Sequence, residues 1–234
     1  PNYTANFGDI TYEVPGTYTY TVQETGEGSN GLTYDSTVYT VAVTVQDVDG
    51  ALNVTNVGYT ASDDDNFKYE DAGAMTFTNT YTTSTVTLTE GAITVEKILT
   101  GRDWKDADSF SFTLTAGENT ANVTTPMPNP STVNITTEST KTEEGYSADF
   151  GEIIYDKAGT YFYTITEDAV TADGITKDTA TYNVEVTVSD DNAGTLTAEA
   201  VIKNGDETVN TATFTNTFTP ATLGGEGAED AITI

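Results

Sequence analysis

An internal repeat constrains the fold of this chain more than any other feature of its sequence. The segment ANFGDITYEVPGTYTYTVQE at residues 5–24 returns as ADFGEIIYDKAGTYFYTITE at residues 148–167. Further along, MTFTNTYT at residues 75–82 returns as ATFTNTFT at residues 212–219. A repeat with a period of roughly 140 residues predicts tandem copies of one domain type, each with its own core.

The phase of the repeat predicts where each copy begins. AITV at residues 92–95 returns as AITI at the C-terminal end, so a copy starts at the AIT strand. We therefore expect a complete β-sandwich repeat over residues 92–219. Residues 1–81 then form an incomplete repeat that lacks its opening strands, and residues 82–91 form a linker. Residues 220–234 form an acidic, glycine-rich linker and the start of a third repeat.

The pattern of apolar and polar residues predicts an all-β fold. The residues alternate with period two, and no long window shows the periodicity of an amphipathic helix. In the complete repeat, runs of strand-forming residues lie near 92–99, 109–116, 131–137, 146–155, 159–167, 179–189, 194–203 and 210–219. Turn signals separate these runs. About eight short strands of this kind predict an immunoglobulin-like antiparallel β-sandwich, present here as tandem domains.

The composition excludes several classes of function. The chain carries 37 acidic and 8 basic residues, a net charge of −29, which disfavours nucleic acid and anionic membrane surfaces as partners. No apolar run is long enough to insert into a membrane. The chain contains no cysteine and no histidine, which excludes disulfides, thiolate chemistry and histidine-dependent triads. The acidic clusters lack EF-hand spacing, so we expect neither a metal nor a cofactor.

Three strands carry a polar residue where the alternation requires an apolar one. In ITVEKILTG, Lys97 lies between Val95 and Leu99 on the apolar face of its strand. Glu167 ends the apolar face of GTYFYTITE, and Asn216 lies between two phenylalanines in ATFTNTFT. We therefore expect Lys97, Glu167 and Asn216 to point into the core of one domain.

These three side chains suggest a covalent cross-link. Burial lowers the pKa of a lysine and raises that of a glutamate, so the pair can exchange a proton and leave a neutral, nucleophilic amine. An asparagine carboxamide is an electrophile, and a protonated Glu167 could polarise its carbonyl oxygen. The product would be an isopeptide bond between Lys97 and Asn216. The alternative is a buried, hydrogen-bonded ion pair that undergoes no reaction.

The first repeat carries two of the three positions. Glu24 ends the strand GTYTYTVQE, and Asn79 lies between two aromatic residues in MTFTNTYT, so they are a candidate catalyst and a candidate acceptor. Lys68 is the only lysine in residues 1–81, and it lies in an acidic segment that does not match the position of Lys97. We expect Asn79 to remain an unpaired acceptor unless another chain supplies the missing strand.

The motifs around these residues resemble those of a known family. The complete repeat opens with K-x-L-x-G-R-x-W from Lys97 to Trp104, continues with GTY-x-Y-x-I-x-E and closes with F-x-N. These motifs are similar to the isopeptide-linkage domain of streptococcal-type major pilins, the T-antigen or FctA-like family, over nearly the whole chain. The resemblance implies a sandwich with a self-formed bond, in which Lys97 is the amine, Glu167 the catalyst and Asn216 the acceptor.

The resemblance also implies a structural role on the surface of a Gram-positive bacterium. We expect an extracellular, cell-wall anchored stalk or pilus shaft whose partners are neighbouring repeats or subunits of the same fibre. Its bond would form once per chain, so the protein is not expected to be an enzyme. The alternative is an adhesin whose loops, such as residues 119–130, bind a host protein or glycan.

Overall fold

The structure is a computed structural model, and it describes residues 3–69, 74–170 and 172–221, apart from the side chains of residues 64–69. The chain divides into an N-terminal unit, Pro1–Thr82, and a C-terminal unit, Thr83–Ile234. Within the described ranges every regular element is a β-strand, as the alternation predicts. No helix in this part of the chain is long and apolar enough to cross a bilayer.

The described residues of the N-terminal unit form six strands. They are β1 (Gly16–Gln23), β2 (Leu32–Thr33), β3 (Val38–Val48), β4 (Ala51–Ala61), β5 (Asp64–Tyr69) and β6 (Thr80–Tyr81). Four of them form an antiparallel sheet in the order β1-β3-β4-β5, and β2 pairs with β6. Phe7 is 74% exposed, whereas its counterpart in the repeat, Phe150, is 1% exposed. Phe150 is covered because it lies beside the strand that carries Lys97, with its N–H donating to Ile93 O.

Thirteen strands lie in the part of the C-terminal unit that the structure describes. They are β7 (Val86–Leu88), β8 (Thr94–Thr100), β9 (Phe110–Asn119), β10 (Thr132–Ile135), β11 (Thr140–Lys141), β12 (Tyr146–Asp149), β13 (Ile153–Tyr155), β14 (Gly159–Glu167), β15 (Ile175–Thr176), β16 (Thr181–Asp190), β17 (Leu196–Asn204), β18 (Glu207–Val209) and β19 (Ala212–Phe218). One sheet has the order β10-β9-β14-β16-β17-β18, and a second has the order β11-β12-β8-β19-β15. A short pair, β13-β7, lies beside them.

These two sheets form the immunoglobulin-like β-sandwich that the sequence predicts. Alternate residues of β14 and β16 are buried, which gives the first sheet one apolar face. Aromatic rings from the two sheets meet in the core: Phe112 of β9 and Tyr182 of β16 each lie 5.0 Å from Phe214 of β19, between ring centroids. The core therefore lies between β8 and β19 on one side and β9, β14 and β16 on the other.

The strands β8 and β19 lie side by side and are parallel. Lys97 is in register with Phe214, and Leu99 with Asn216. Gly101 ends β8 with a φ of 87°, and a Cβ atom on it would lie 2.2 Å from Phe218 O, so this position requires glycine. The two strands therefore end in close backbone contact. Because Lys97 is two residues from Leu99, which is in register with Asn216, Lys97 and Asn216 lie on one face of the sheet.

The structure differs from the sequence prediction at several short elements. β7 lies within residues 82–91, which are predicted from the sequence to be a linker. It pairs with β13, and its Leu88 is buried. A strand of three residues is too short to show an alternation in the sequence. Residues 146–155, predicted as one strand, form β12 and β13 in different sheets. Residues 222–234, which include the predicted start of a third repeat, lie outside the described residues.

Candidate functional site

Lys97 is completely buried in the middle of β8. Its side chain has no exposed surface, and Nζ lies 5.1 Å from the ring centroid of Phe110 and 5.9 Å from that of Phe112. Burial lowers the pKa of the Lys97 amine below its ordinary value, and the neighbouring Glu167 carboxylate offsets part of that shift. The sandwich therefore favours the neutral amine at this position more than water does.

Glu167 comes from the opposite sheet, at the C-terminal end of β14. Its side chain is also fully buried, and its Oε1 atom lies 3.0 Å from Nζ of Lys97. Neither Nζ nor the second carboxyl oxygen, Oε2, makes a hydrogen bond of good geometry with a described residue. The amine is thus close to the carboxyl group without an aligned hydrogen bond to it.

Asn216 is the third buried residue, in β19. Its Nδ2 donates a hydrogen bond of 2.7 Å to Oε1 of Glu167. Its Oδ1 accepts a hydrogen bond of 2.7 Å from the backbone N–H of Asp178. A backbone N–H can only donate, so this contact identifies which end of the carboxamide is the oxygen. The three residues predicted from the alternation therefore lie together in the core.

One carboxyl oxygen links the amine to the carboxamide. Oε1 of Glu167 contacts both Nζ of Lys97 and Nδ2 of Asn216. A carboxyl group in this position can accept a proton from an attacking amine and donate one to a departing –NH2 group. The apolar walls strengthen these polar contacts, because few water molecules compete with them. The arrangement is suited to an amide exchange between Lys97 and Asn216.

The contact to the carbonyl oxygen differs from the sequence expectation. The sequence suggests that Glu167 polarises the Asn216 oxygen, but Glu167 contacts the nitrogen, and Asp178 N–H contacts the oxygen. Asp178 and Lys177 are not among the residues predicted from the sequence. Nζ of Lys177 donates to the backbone oxygen of Glu167 at 2.7 Å. A signal for Asp178 was available in the repeat, because Asp35 is its counterpart in the first copy.

The N-terminal unit contains a corresponding pair with greater exposure. Nδ2 of Asn79 donates to Oε1 of Glu24 at 2.8 Å, and Oδ1 of Asn79 accepts from Asp35 N at 2.8 Å. The backbone of Lys68 pairs with Tyr59 in the edge strand β5, and its side chain is not among those described. Glu24 and Asn79 thus meet as the repeat predicts.

Metal binding finds no support in this geometry. Among the described residues there is no cluster of three or more histidine, cysteine, aspartate or glutamate side chains that could hold an ion.

The chain is similar to known pilin domains. The family model for the Spy0128-like isopeptide containing domain (FctA) matches residues 2–82 and 93–219. No curated protein matches the chain. A major pilin protein of Streptococcus pyogenes is 21% identical over 90% of this chain and 70% of its own, with a TM-score of 0.28. A point mutant of the S. pyogenes major pilin is 22% identical over 89% of this chain and 72% of its own, with a TM-score of 0.29.

Proposed function

Because the chain belongs to the family of Spy0128-like isopeptide containing domains, we propose that it is a structural part of a cell-surface fibre and that a Lys97–Asn216 isopeptide bond cross-links its C-terminal unit. One observation carries the proposal of a bond. A single oxygen of Glu167 lies 3.0 Å from Nζ of Lys97 and 2.7 Å from Nδ2 of Asn216, all within the core. The nucleophile, the acid–base group and the leaving group are therefore in contact before any reaction.

The reaction is an amide exchange that balances without a cofactor. With the shared proton on Glu167, the neutral amine of Lys97 attacks the carboxamide carbon of Asn216, and a new C–N bond forms. The bond from that carbon to Nδ2 breaks. Glu167 gives its proton to Nδ2, which leaves as ammonia, and takes one proton from Nζ. The carboxyl group ends as it began, and the products are a secondary amide and one ammonia.

The same chemistry is proposed for the N-terminal unit if an amine reaches it. Glu24 and Asn79 hold the same mutual contact as Glu167 and Asn216. Glu24 would act as the acid–base group and Asn79 as the acceptor for a lysine on a strand equivalent to β8. We expect Lys68 not to be that lysine, because its backbone lies in β5, at the edge of the sheet farthest from β1.

The bond suits a protein that carries mechanical load. It would join β8 to β19, close to the two ends of the sandwich, and would close a loop of about 120 residues. Because each chain reacts once, the product is a stabilised domain rather than a turnover catalyst. We propose an extracellular location on the cell surface, with neighbouring subunits of the fibre as partners.

The mass of the intact chain tests this proposal. We expect the wild-type protein to weigh one ammonia less than its sequence predicts and Glu167→Gln to have the full mass. Loss of the bond should also lower stability, by about 4–5 kcal/mol on the loop-entropy model for a loop of about 120 residues. Thermal unfolding of the two proteins, followed by circular dichroism, measures that difference.

A matched control shows whether the mass deficit depends on Glu167 itself or would be lost on removing any carboxylate that pairs with a lysine. Glu185 pairs with Lys203 at 2.7 Å, and each side chain is about one-third exposed. Glu185→Gln should therefore keep the mass deficit. A wild-type chain of full mass contradicts the proposed bond, and a deficit of two ammonias would show that Asn79 also reacts.

A further inference from the structure

Asp178 contacts the carboxamide of Asn216 through its main chain. Its backbone N–H donates to Oδ1 of Asn216 at 2.7 Å. In an attack on the carboxamide carbon, negative charge develops on this oxygen, and a fixed N–H donor at hydrogen-bonding distance stabilises that charge. The donor is part of the connection between β15 and β16, which contains no other described contact to the Asn216 side chain.

The side chain of Asp178 fixes the position of this N–H group. Its Oδ1 accepts from Ala180 N at 2.8 Å, which closes a turn within the connection. Its Oδ2 accepts from Thr215 N at 2.7 Å, next to Asn216 in β19. One carboxylate therefore ties the connection to the strand that carries the acceptor, so the N–H and the carboxamide are held in register with each other.

The same contacts recur in the N-terminal unit. Asp35 N donates to Oδ1 of Asn79 at 2.8 Å, while the Asp35 carboxylate accepts from Thr37 N at 2.8 Å and Thr78 N at 2.6 Å. Hydrogen bonds to the Asp35 carboxylate, from the Thr37 side chain and from the N–H groups of Thr78 and Thr37, keep the pKa of Asp35 below its ordinary value. The arrangement around Asn79 therefore matches that around Asn216 and is a property of the repeat.

We propose that Asp178 is a positioning residue for isopeptide formation, an inference that rests on the proposed function. Its carboxylate holds its own N–H against the Asn216 oxygen, and this N–H stabilises the oxygen when the amine attacks. The contact also selects one of the two orientations of the carboxamide. With the oxygen on Asp178 N–H, the –NH2 group faces Glu167, which is the group that can protonate it as it leaves.

The rate of bond formation in freshly translated chains tests this role. Samples of the full chain are quenched in acid at intervals and weighed intact, and near-ultraviolet circular dichroism measures the folded fraction in parallel. Asp178→Ala keeps the N–H but loses both carboxylate contacts, so we expect bond formation to slow by about 10- to 100-fold in folded protein. Asp178→Asn keeps one oxygen acceptor, and its rate should lie between those of wild type and Asp178→Ala.

The matched control is Asp191→Ala. Asp191 also accepts from two backbone N–H groups, of Ala193 at 2.7 Å and Thr195 at 3.0 Å, but in the turn between β16 and β17. Its loss should leave the rate of bond formation unchanged. Folded Asp178→Ala that bonds as fast as Asp191→Ala overturns the proposal for Asp178 while the proposed bond still stands.

A second measurement covers variants that fail to fold. In Glu167→Gln, the amide proton of Asp178 should exchange slowly with solvent in NMR experiments, and Asn216→Ala in that background should speed its exchange by at least about 10-fold. Equal exchange in both proteins overturns the proposal. If wild-type chains instead have the full mass, the proposed function fails, and this measurement still reports whether Asp178 holds the carboxamide.

Discussion

At the scale of single residues, the buried trio makes the unreacted core energetically costly. A charged amine and a carboxylate without exposed surface lose their hydration, and their attraction recovers that loss only if every polar atom is satisfied. Here Nζ of Lys97 and Oε2 of Glu167 lack an aligned hydrogen bond among the described residues. The proposed amide bond replaces the ionisable amine by a neutral amide. The reaction would therefore remove the free-energy cost of burying a charged amine and would also link two strands.

Substitutions at these residues can test this cost without any bond forming. Lys97→Met leaves Glu167 buried without its cation, whereas Lys97→Met with Glu167→Gln leaves a neutral pair of similar shape. We expect the double variant to be the more stable by about 1–3 kcal/mol, because a buried charged group without a partner costs more than a buried amide. Urea unfolding at neutral pH measures the difference. Equal stability would mean that water reaches Glu167.

The alternation of the sequence was sufficient to predict the three buried residues but not their contacts. Lys97, Glu167 and Asn216 each interrupt a long apolar face, and such an interruption is visible in a single strand. The role proposed for Asp178 was not visible in that alternation, because Asp178 lies in a connection between strands and contacts Asn216 through its backbone N–H, a group that any residue except proline carries. The orientation of the carboxamide therefore depends on tertiary structure and could not be predicted.

At the scale of elements, the turn after β8 is held by a forked ion pair. Nη1 and Nη2 of Arg102 donate to the two carboxylate oxygens of Asp108 at 2.7 and 2.8 Å. The Arg102 guanidinium holds the pKa of Asp108 below its ordinary value, because it stabilises the charged carboxylate. This pair fixes the path of the chain from the strand that carries Lys97 into β9.

Replacing Arg102 by lysine should weaken this turn. An ammonium group cannot donate to both oxygens in the same fork, so we expect Arg102→Lys to unfold at a lower urea concentration than wild type at neutral pH. Asp108 has a lowered pKa in the folded state, so its stabilisation is complete above its unfolded pKa and is lost as the pH falls through the folded value. The difference between variant and wild type should therefore shrink in acid.

Urea unfolding across the acidic range measures this dependence on pH. Lys203→Gln is the control, because Lys203 and Glu185 form an exposed pair that contributes little to stability. A difference for Arg102→Lys that stays constant down to strongly acidic pH would contradict the assigned role of Asp108.

Long elements were predictable from the sequence and short ones were not. Each of the eight predicted strands has a counterpart in the structure. Long strands such as β9, β14 and β16 were predictable because their apolar and polar residues alternate over many positions. β7 and β15 have three and two residues, and their pairing is determined by β13 and β19 rather than by a local pattern. β15 nonetheless ends two residues before Asp178. Because this strand was not predicted, the position of Asp178 beside Asn216 was not predicted either.

At the scale of the whole molecule, the parallel pairing of β8 and β19 determines how the C-terminal unit meets a pulling force. After β7, the chain enters this pair at the N-terminal end of β8, and it leaves the pair at the C-terminal end of β19. Because the two strands are parallel, the N-terminal end of β8 and the C-terminal end of β19 lie at opposite ends of the pair. Tension between these two points therefore shears the strands along their length. A bond between Lys97 and Asn216 would cross that shear plane and carry the load.

Single-molecule extension should show the effect directly. In wild type, the proposed bond should keep the loop between Lys97 and Asn216 closed, so that only the flanking residues extend. In Glu167→Gln, unfolding the C-terminal unit should release about 120 further residues, or about 400 Å of additional contour length at about 3.3–3.6 Å per residue. An equal gain in length for the two proteins would mean that no bond closes the loop.

The complete burial of Lys97 and Asn216 has a consequence for quality control of the fibre. In an unfolded chain, these residues are far apart and surrounded by water, so the proposed bond can form only after the sandwich has closed around them. Once formed, it persists through later unfolding. A chain that carries the bond must then have folded at least once, even if it is unfolded when it is weighed. The fraction of full-mass chains in a sample would measure the chains that have never folded far enough to form the bond.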